Sequence, residues 1–256
     1  MEASISQGEK VFCFNGEQSK EDFKSNVYTQ SSSASDLYME QYKDTPIYDT
    51  FVKEEKRKEL DRKYNNNLFV YNNEAPKDIN SLLVAMEDAY IVHGIRVFVL
   101  DNFMQIDMNS SDVFFEQSRV MEKLRTFAVN KQVHIHLVAH PRKMLDFQAR
   151  LSIYDVSGSM NLANKAYNVI SIVRVDMMDE ESKEYQNMAK KLLASRYDIA
   201  DTSTILEVLK TKGTGAGLVP LVFDKKTKSF KQQAELTSEI WEKIKNQTKE
   251  RRGSFR

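Results

Sequence analysis

The chain has 256 residues, 41% hydrophobic and 29% charged, with 37 Lys and Arg set against 37 Asp and Glu. This is the composition of a globular α/β protein of one large domain or two small ones, and a formal net charge of zero leaves any nucleic-acid contact to local loops. A single cysteine excludes an internal disulfide and suits a reducing compartment. No stretch approaches the roughly 20 apolar residues that span a bilayer, and the N-terminus lacks a signal-peptide pattern.

Lys10 to Phe14 reads as a buried strand, preceded by a Gly8 that can close a helix. A helix ending there would have to begin before Met1, so the sequence reads as starting partway through an element. Asn15-Gly16-Glu17 makes a turn carrying a carboxylate, and Ser19 is an N-cap for the helical EDFKSNVY, with Asp22 at the capping-box position. Residues 30–36, QSSSASD, form a polar link. Tyr48 to Tyr64 reads as one charged helix with Glu54–Lys58 and Glu59–Lys63 at i,i+4, its charges a solvated face. Asn65-Asn66-Asn67 ends it, and Leu68 to Tyr71 is the next strand. Asp78 caps a helix running through His93, with Ile79, Leu82, Leu83, Met86, Ala89 and Tyr90 at helical spacing and Gly94 closing it.

Ile95 to Asn102, IRVFVLDN, is a near-continuous apolar run, as suits a parallel strand covered by helices on both faces. It delivers Asp101 to the carboxyl end of that strand, where ligands bind in such sheets. A carboxylate there can hold hydrated Mg2+ against nucleotide phosphates; it can equally be the first residue of an ordinary loop. Ser111 begins a helix with Phe114, Val120, Met121, Leu124, Phe127 and Ala128 on its apolar side. Strand Val133 to Ala139 follows and ends in His140-Pro141-Arg142-Lys143. A short helix over Ser159 to Tyr167, a strand over Val169 to Val173 and a helix over Glu180 to Arg196 come next. Strand Thr204 to Leu209 leads through the glycine-rich KTKGTGAG turn to strand Leu218 to Phe223. The last helix, from Thr237, centres on Ile240, Trp241 and Ile244. It carries a basic tail (Lys243, Lys245, Lys249, Arg251, Arg252, Arg256) that reads as solvating or as a binding segment. Strands alternating with helices are βαβ grammar.

Three strand ends carry chemistry: Glu17 after VFCFNG, Asp101 after VFVL and His140 after HIHLVA. With HIHLVAHPRK (134–143), SGSMNLANKAYNVISIVR (157–174) and LKTKGTGAGLVPLVFD (209–224), their order resembles the RecA-like ATPase domain of ring-forming replicative helicases. Within that family it is similar to the DnaB-like branch that includes the mitochondrial helicase Twinkle and phage primase-helicases. The resemblance covers roughly residues 5 to 232. It implies an α/β RecA-like core, a mostly parallel twisted β-sheet flanked by helices and truncated at the N-terminus. The ATPase domain would take residues 1–232, and 233–256 a C-terminal helix and basic tail.

The resemblance further implies an ATP-dependent replicative DNA helicase that uses ATP and Mg2+. Hydrolysis at subunit junctions would drive translocation on single-stranded DNA and duplex unwinding. Glu17 matches the catalytic base that polarises water; the plain alternative is a helix-entry carboxylate favoured by the helix dipole. Asp101 matches the Mg2+-linked carboxylate, with Asn102 beside it as part of the nucleotide site. His140 matches the γ-phosphate sensor, whereas His134 and His136 read as structural. Arg142 and Lys143 match the start of the loop that in this family faces the central channel, and Gly158, Ser159, Asn161 and Asn164 match the loop tracking single-stranded DNA. Lys210 and Lys212 match a Lys-x-Arg pair reaching the neighbouring subunit's nucleotide. Lys212 stands in place of the arginine finger and lacks its planar fork. The partners implied are single-stranded DNA, a homo-oligomeric hexameric ring, and primase or other replisome proteins, with no membrane. The compartment implied is a cytoplasm, that of a bacterium or a phage-infected host.

One part of the pattern is missing. No G-x-x-x-x-G-K-[ST] loop occurs in the sequence, and Gly213 to Gly217 does not precede a helix and cannot substitute. The chain therefore reads as the later part of a helicase ATPase domain, whether by truncation, gene splitting or degeneration, and alone it is expected to hydrolyse ATP poorly or not at all. The alternative is a non-hydrolysing RecA-like interaction or ring subunit.

Overall fold

The computed structural model describes residues 1–41, 48–108, 111–142, 151–156, 161–213, 217–242 and 244, apart from the side chains of Glu2 and Asn161. The described chain forms two compact units. The first comprises Met1–Arg142, Asp155–Ala166 and Lys225–Ser229. Its elements are α1 (Glu2–Ser6), β1 (Val11–Asn15), α2 (Lys20–Gln30), β2 (Leu37–Gln41), β3 (Tyr48–Val52), α3 (Glu54–Tyr64) and β4 (Leu68–Val70). They continue with α4 (Ile79–His93), β5 (Val97–Asp101), α5 (Val113–Lys131), β6 (His134–Leu137) and α6 (Asn161–Lys165). The second unit holds β7 (Val169–Arg174), α7 (Lys183–Ala194), β8 (Thr204–Lys210), β9 (Leu218–Asp224) and, from Phe230 on, β10 (Ser229–Gln232).

In the first unit four strands lie in the order β4-β1-β5-β6, every pair parallel. The continuous apolar runs follow from burial on both faces, because successive side chains point to opposite sides. Phe12, Phe14, Phe98 and Leu100 turn one way, into a core closed by Ile79, Leu82 and Met86 of α4 and Val120, Leu124 and Phe127 of α5. Val11, Val97 and Val99 turn the other way, against Val27 and Tyr28 of α2 and Leu60 and Tyr64 of α3. Tyr28 and Tyr64 stack at 5.6 Å between centroids, and the Tyr28 hydroxyl donates to Asp61 Oδ1 at 2.6 Å.

The helix ends form as their sequences direct. Asp78 Oδ1 accepts from the backbone N–H of Asn80 and Ser81 at 2.9 and 3.2 Å, and Gly94 closes α4 with φ +68°. Gly8, also left-handed at φ +87°, comes one residue later relative to α1, after a Gln7 C-cap. Ser19 caps α2 by accepting from Asp22 N at 3.0 Å.

Tyr48 to Tyr64 is not one helix. Tyr48–Val52 is β3, antiparallel to β2 with Leu37 opposite Val52, and α3 begins only at Glu54. The aromatic and β-branched Tyr48, Thr50, Phe51 and Val52 favour the pleated state, and pairing with β2 decides it over the charged helical sequence beyond. Nor is α3 purely solvated, since Leu60 and Tyr64 are buried. The α5 face is also narrower than its spacing predicts. The helix starts at Val113 after an Asp112 cap, and Phe114 in its first turn is 63% exposed.

The second unit has a sheet in the order β10-β9-β8-β7, with β7–β8 and β8–β9 antiparallel. Met188 and Leu192 of α7 pack with Val175, Ile199 and Ile205. Trp241, on a helical turn over 238–242, donates through Nε1 to Leu193 O at 2.7 Å. Residues 245–256, which hold most of the basic tail, and Lys243 lie outside the described residues. No described helix is long and apolar enough to cross a membrane.

Leu82 has no exposed surface and sits at the centre of the first core. Leu82→Ala is expected to lower the unfolding free energy by about 2–5 kcal/mol. Asp78→Ala, which removes only a cap, should lower it by about 0.5–2 kcal/mol. Urea unfolding followed by circular dichroism checks both, and equal losses from the two variants would contradict this description of the core.

Candidate active site

Because β1, β5 and β6 are parallel neighbours, their carboxyl ends lie along one edge of the sheet, and the turns leaving them meet there. Asn15, the last residue of β1, stands opposite Asp101, the last of β5. Asn15 is buried, and its Oδ1 accepts from the backbone N–H of Glu17 and Gln18 at 3.1 and 3.2 Å. This Asx turn fixes where Glu17 leaves the strand. Gly16 carries the pairing one residue further, its N–H donating to Asp101 O at 2.8 Å. A Cβ at Gly16 would lie 2.4 Å from Gln105 Cβ and 2.8 Å from its Cγ. Only glycine lets the two turns approach this closely.

Beyond Asp101 the chain makes a 3-10 turn at Phe103–Gln105, capped by Asn102, whose Oδ1 accepts from Met104 N at 2.8 Å. The Asp101–Asn102 peptide bond is cis. Phe103 N donates to Val138 O at 2.8 Å, tying this turn to the end of β6. Asn102 is wholly buried. Its Nδ2 donates to Glu17 Oε1 at 2.5 Å and faces His140 Nε2 at 2.9 Å, while His140 Nε2 lies 3.4 Å from Glu17 Oε1. Three residues from the ends of three strands thus form one polar cluster, with Glu17 and His140 half exposed.

Burial, and secondly the negative charge of Glu17, push the Asp101 carboxyl above the usual range, while His140 draws it back. Burial, with Asp101 adding to it, pushes the Cys13 thiol up to about 12. Cys13 therefore stays protonated and takes no part as a nucleophile.

The remaining residues expected at the site fall into three groups. Arg142 N donates to Asp155 O at 2.7 Å and its Nη2 to Asp155 Oδ1 at 2.9 Å, beside a Pro141–Val156 bridge. The guanidinium stays largely exposed in this pairing. Lys143, Gly158 and Ser159 lie outside the described residues, as does the side chain of Asn161, whose backbone opens α6. Asn164 is exposed on α6, which is held down by buried Leu162 and Ala163 and by Lys165 Nζ against Glu122 Oε2 at 2.8 Å. In the second unit Lys210 ends β8 and is partly buried, and the Lys212 ammonium lies 4.4 Å from the centroid of the Tyr167 ring.

Reading the sequence alone missed Asn15, Gly16 and Asp155. Asn15-Gly16 is a turn signal, but nothing local says that its amide aims Glu17. Asp155 pairs across a gap of 13 residues that no spacing rule predicts.

Two outcomes follow. The native Asp101 carboxyl holds its proton more tightly than in the unfolded chain. Its contribution to stability is therefore complete below the unfolded pKa of about 3.9 and falls as pH rises through the higher folded value. Asp101→Asn should thus raise the melting temperature at pH 7, with the gain shrinking toward about pH 4; an equal gain at both pH values would contradict the assignment. Gly16→Ala should cost about 1–3 kcal/mol through overpacking. Adding Gln105→Gly should cost less than the two single changes summed, and strict additivity in a denaturant series would dismiss the clash.

No family model matches the chain, and no curated protein matches its sequence. Solved structures do resemble it. One is a DnaB-like replicative helicase, described with its interactions with primase. It aligns over 88% of this chain and 51% of its own at a TM-score of 0.66 and 15% identity. Another is an ATPase domain, aligned over 90% of this chain and 76% of its own at a TM-score of 0.66 and 16% identity. The chain spans about half the length of the first of these structures. Identities this low speak for fold, and the fold is the RecA-like α/β fold of the ATPase domain of DnaB-like helicases.

Proposed function

We propose that this chain is the ATPase portion of a DnaB-like replicative DNA helicase, working in a hexameric ring whose subunit junctions couple ATP hydrolysis to movement along single-stranded DNA. One observation carries the reading. Glu17, Asn102 and His140 meet within 2.5–3.4 Å, beside Asp101, at the carboxyl ends of three adjacent parallel strands. The likeness in fold to helicase ATPase domains supports it.

The residues fit a hard divalent cation. Asp101 is a partly buried carboxylate whose ionisation Glu17 opposes, and a cation would remove that opposition. Mg2+ binds through one or two carboxylates together with waters and substrate phosphates, so Asp101 would suffice as the protein ligand. Bound Mg2+ would supply charge neutralisation on the phosphates. Glu17 would act as general base through Oε2, since Oε1 accepts from Asn102. Its exposure leaves room for water, and the Asx turn at Asn15 holds its backbone in place. His140 would report the state of the γ-phosphate. Arg142, Lys143, Gly158, Ser159, Asn161 and Asn164 would track the DNA backbone, and Lys210 and Lys212 would face the neighbouring subunit's nucleotide, with Tyr167 steadying the Lys212 ammonium. Primase or other replisome proteins in a cytosol would be the further partners.

No G-x-x-x-x-G-K-[ST] phosphate loop occurs in the sequence. The same observation, with lysine at position 212, favours a second reading: a ring subunit of the same fold that binds no nucleotide.

Binding of Mg2+·ATP separates the two, and hydrolysis by the assembled ring containing this chain tests the first. Hydrolysis stimulated by single-stranded DNA should fall by about 10²–10⁴-fold in Glu17→Gln with circular dichroism unchanged. Undiminished hydrolysis in that variant would end the catalytic assignment, and an assembly with no affinity for Mg2+·ATP would favour the second reading.

A further inference from the structure

Asn102 was expected beside the nucleotide as a companion of Asp101, yet every polar atom of its side chain is already engaged within the protein. Oδ1 accepts from Met104 N at 2.8 Å, and Nδ2 reaches Glu17 Oε1 at 2.5 Å and His140 Nε2 at 2.9 Å. The side chain is wholly buried. These neighbours assign the amide's orientation. Turned over, its oxygen would face the Glu17 carboxylate and its NH2 would face the Met104 N–H, acceptor against acceptor and donor against donor.

The orientation fixes a proton elsewhere. A primary amide has two N–H donors; one goes to Glu17 and the other to His140. His140 Nε2 must then offer a lone pair to that donor, which places the ring proton on Nδ1. The 3.4 Å approach of Nε2 to Glu17 Oε1 is consequently not a hydrogen bond in this arrangement, because neither atom has a proton to give. Two contacts that look compatible are in fact alternatives. Either Asn102 donates to His140, or a protonated Nε2 donates to Glu17 Oε1 and the Asn102–His140 bond is lost. The charged groups facing His140 are Glu17, from the turn after β1, and Asp101, at the end of β5.

We propose that Asn102 is a positioning residue rather than a nucleotide ligand: it holds His140 in the Nδ1–H tautomer and joins it to Glu17 through a single shared amide. Any rotation of His140 that presents Nε2 to a phosphate must break its bond to Asn102. That releases one donor of the amide that also restrains Glu17 Oε1, so the ring's state is felt at the carboxylate. The coupling has functional meaning only if Glu17 and His140 act as base and sensor, and in that it rests on the function proposed above. The hydrogen bonding itself does not.

The test is long-range nitrogen–proton NMR of the histidine rings in the full chain at about pH 8, above the ordinary histidine pKa of about 6.5. The chain has four histidines, and His140→Gln assigns the signal. The wild-type His140 should show an unprotonated Nε2 and a protonated Nδ1. Asn102→Asp keeps the shape but accepts instead of donating, so it should move the ring to the Nε2–H form while His93 keeps its pattern. Asn102→Ala should do the same where it folds. A wild-type His140 already in the Nε2–H form overturns the proposal, and so does a tautomer unchanged by Asn102→Asp. The wild-type spectrum decides even if both variants fail to fold. A failed helicase assignment would show in hydrolysis by Glu17→Gln, and a failed Asn102 assignment in the ring nitrogens.

Discussion

Asn15 stands opposite Asp101 because β1 and β5 run parallel and in register from Val11–Val97 onward, and the geometry at the strand ends descends from that pairing. Two strands that stop at the same level force both chains to turn side by side. The first turn is tight enough to require Gly16, and the second sends Asn102 inward beneath it. The register is held by side chains well away from the chemistry. Slipping β1 by one residue would move Phe12 and Phe14 from the α4–α5 core to the α2–α3 side and bring Val11 and Cys13 across. Both faces are covered, so the cost would come from misfit, with phenylalanine forced into places shaped for valine and cysteine, about 1–3 kcal/mol for each overpacked position. Packing therefore fixes the position of Glu17 to within hydrogen-bonding distance of Asn102.

The same two-sided burial explains how the fold tolerates a polar cluster at its edge. An amide buried without partners would cost about 1–3 kcal/mol, but Asn102 has three. The unrelieved cost sits on Asp101, whose charge is opposed by burial and by Glu17. Carboxyls perturbed in this way, by burial together with a like charge, cluster at functional sites.

Much of this was legible in the residues. The helix α4 runs from cap to cap as its spacing dictates, with Asp78 and Gly94 at its ends, and VFCF and VFVL declare buried parallel strands by lacking alternation. The two-stranded β2–β3 ribbon was not legible. Tyr48–Val52 flows into the charged α3 sequence with no glycine or proline between, and the Lys53 cap makes no side-chain hydrogen bond that would have announced a boundary. At the site, Glu17, Asp101 and His140 could be picked out because each follows an apolar run. The role of Asn102 could not. Its partners lie 85 and 38 positions away in the chain, and adjacency to Asp101 pointed instead to the nucleotide.

The choice of side chain at position 102 follows from counting donors. The place needs one acceptor for Met104 N and two donors for Glu17 and His140, on a side chain short enough to fit beneath the turn. Aspartate has the size but no donor when ionised, and would add a third carboxylate to Glu17 and Asp101. Serine and threonine have one donor and could serve Glu17 or His140 but not both. Glutamine has the right groups on a longer stem, which would lift the amide out of the cap it makes on the 3-10 turn. Asparagine alone among these supplies the set at this reach, so the link between strand ends β1 and β6 passes through the residue that also caps the turn after β5.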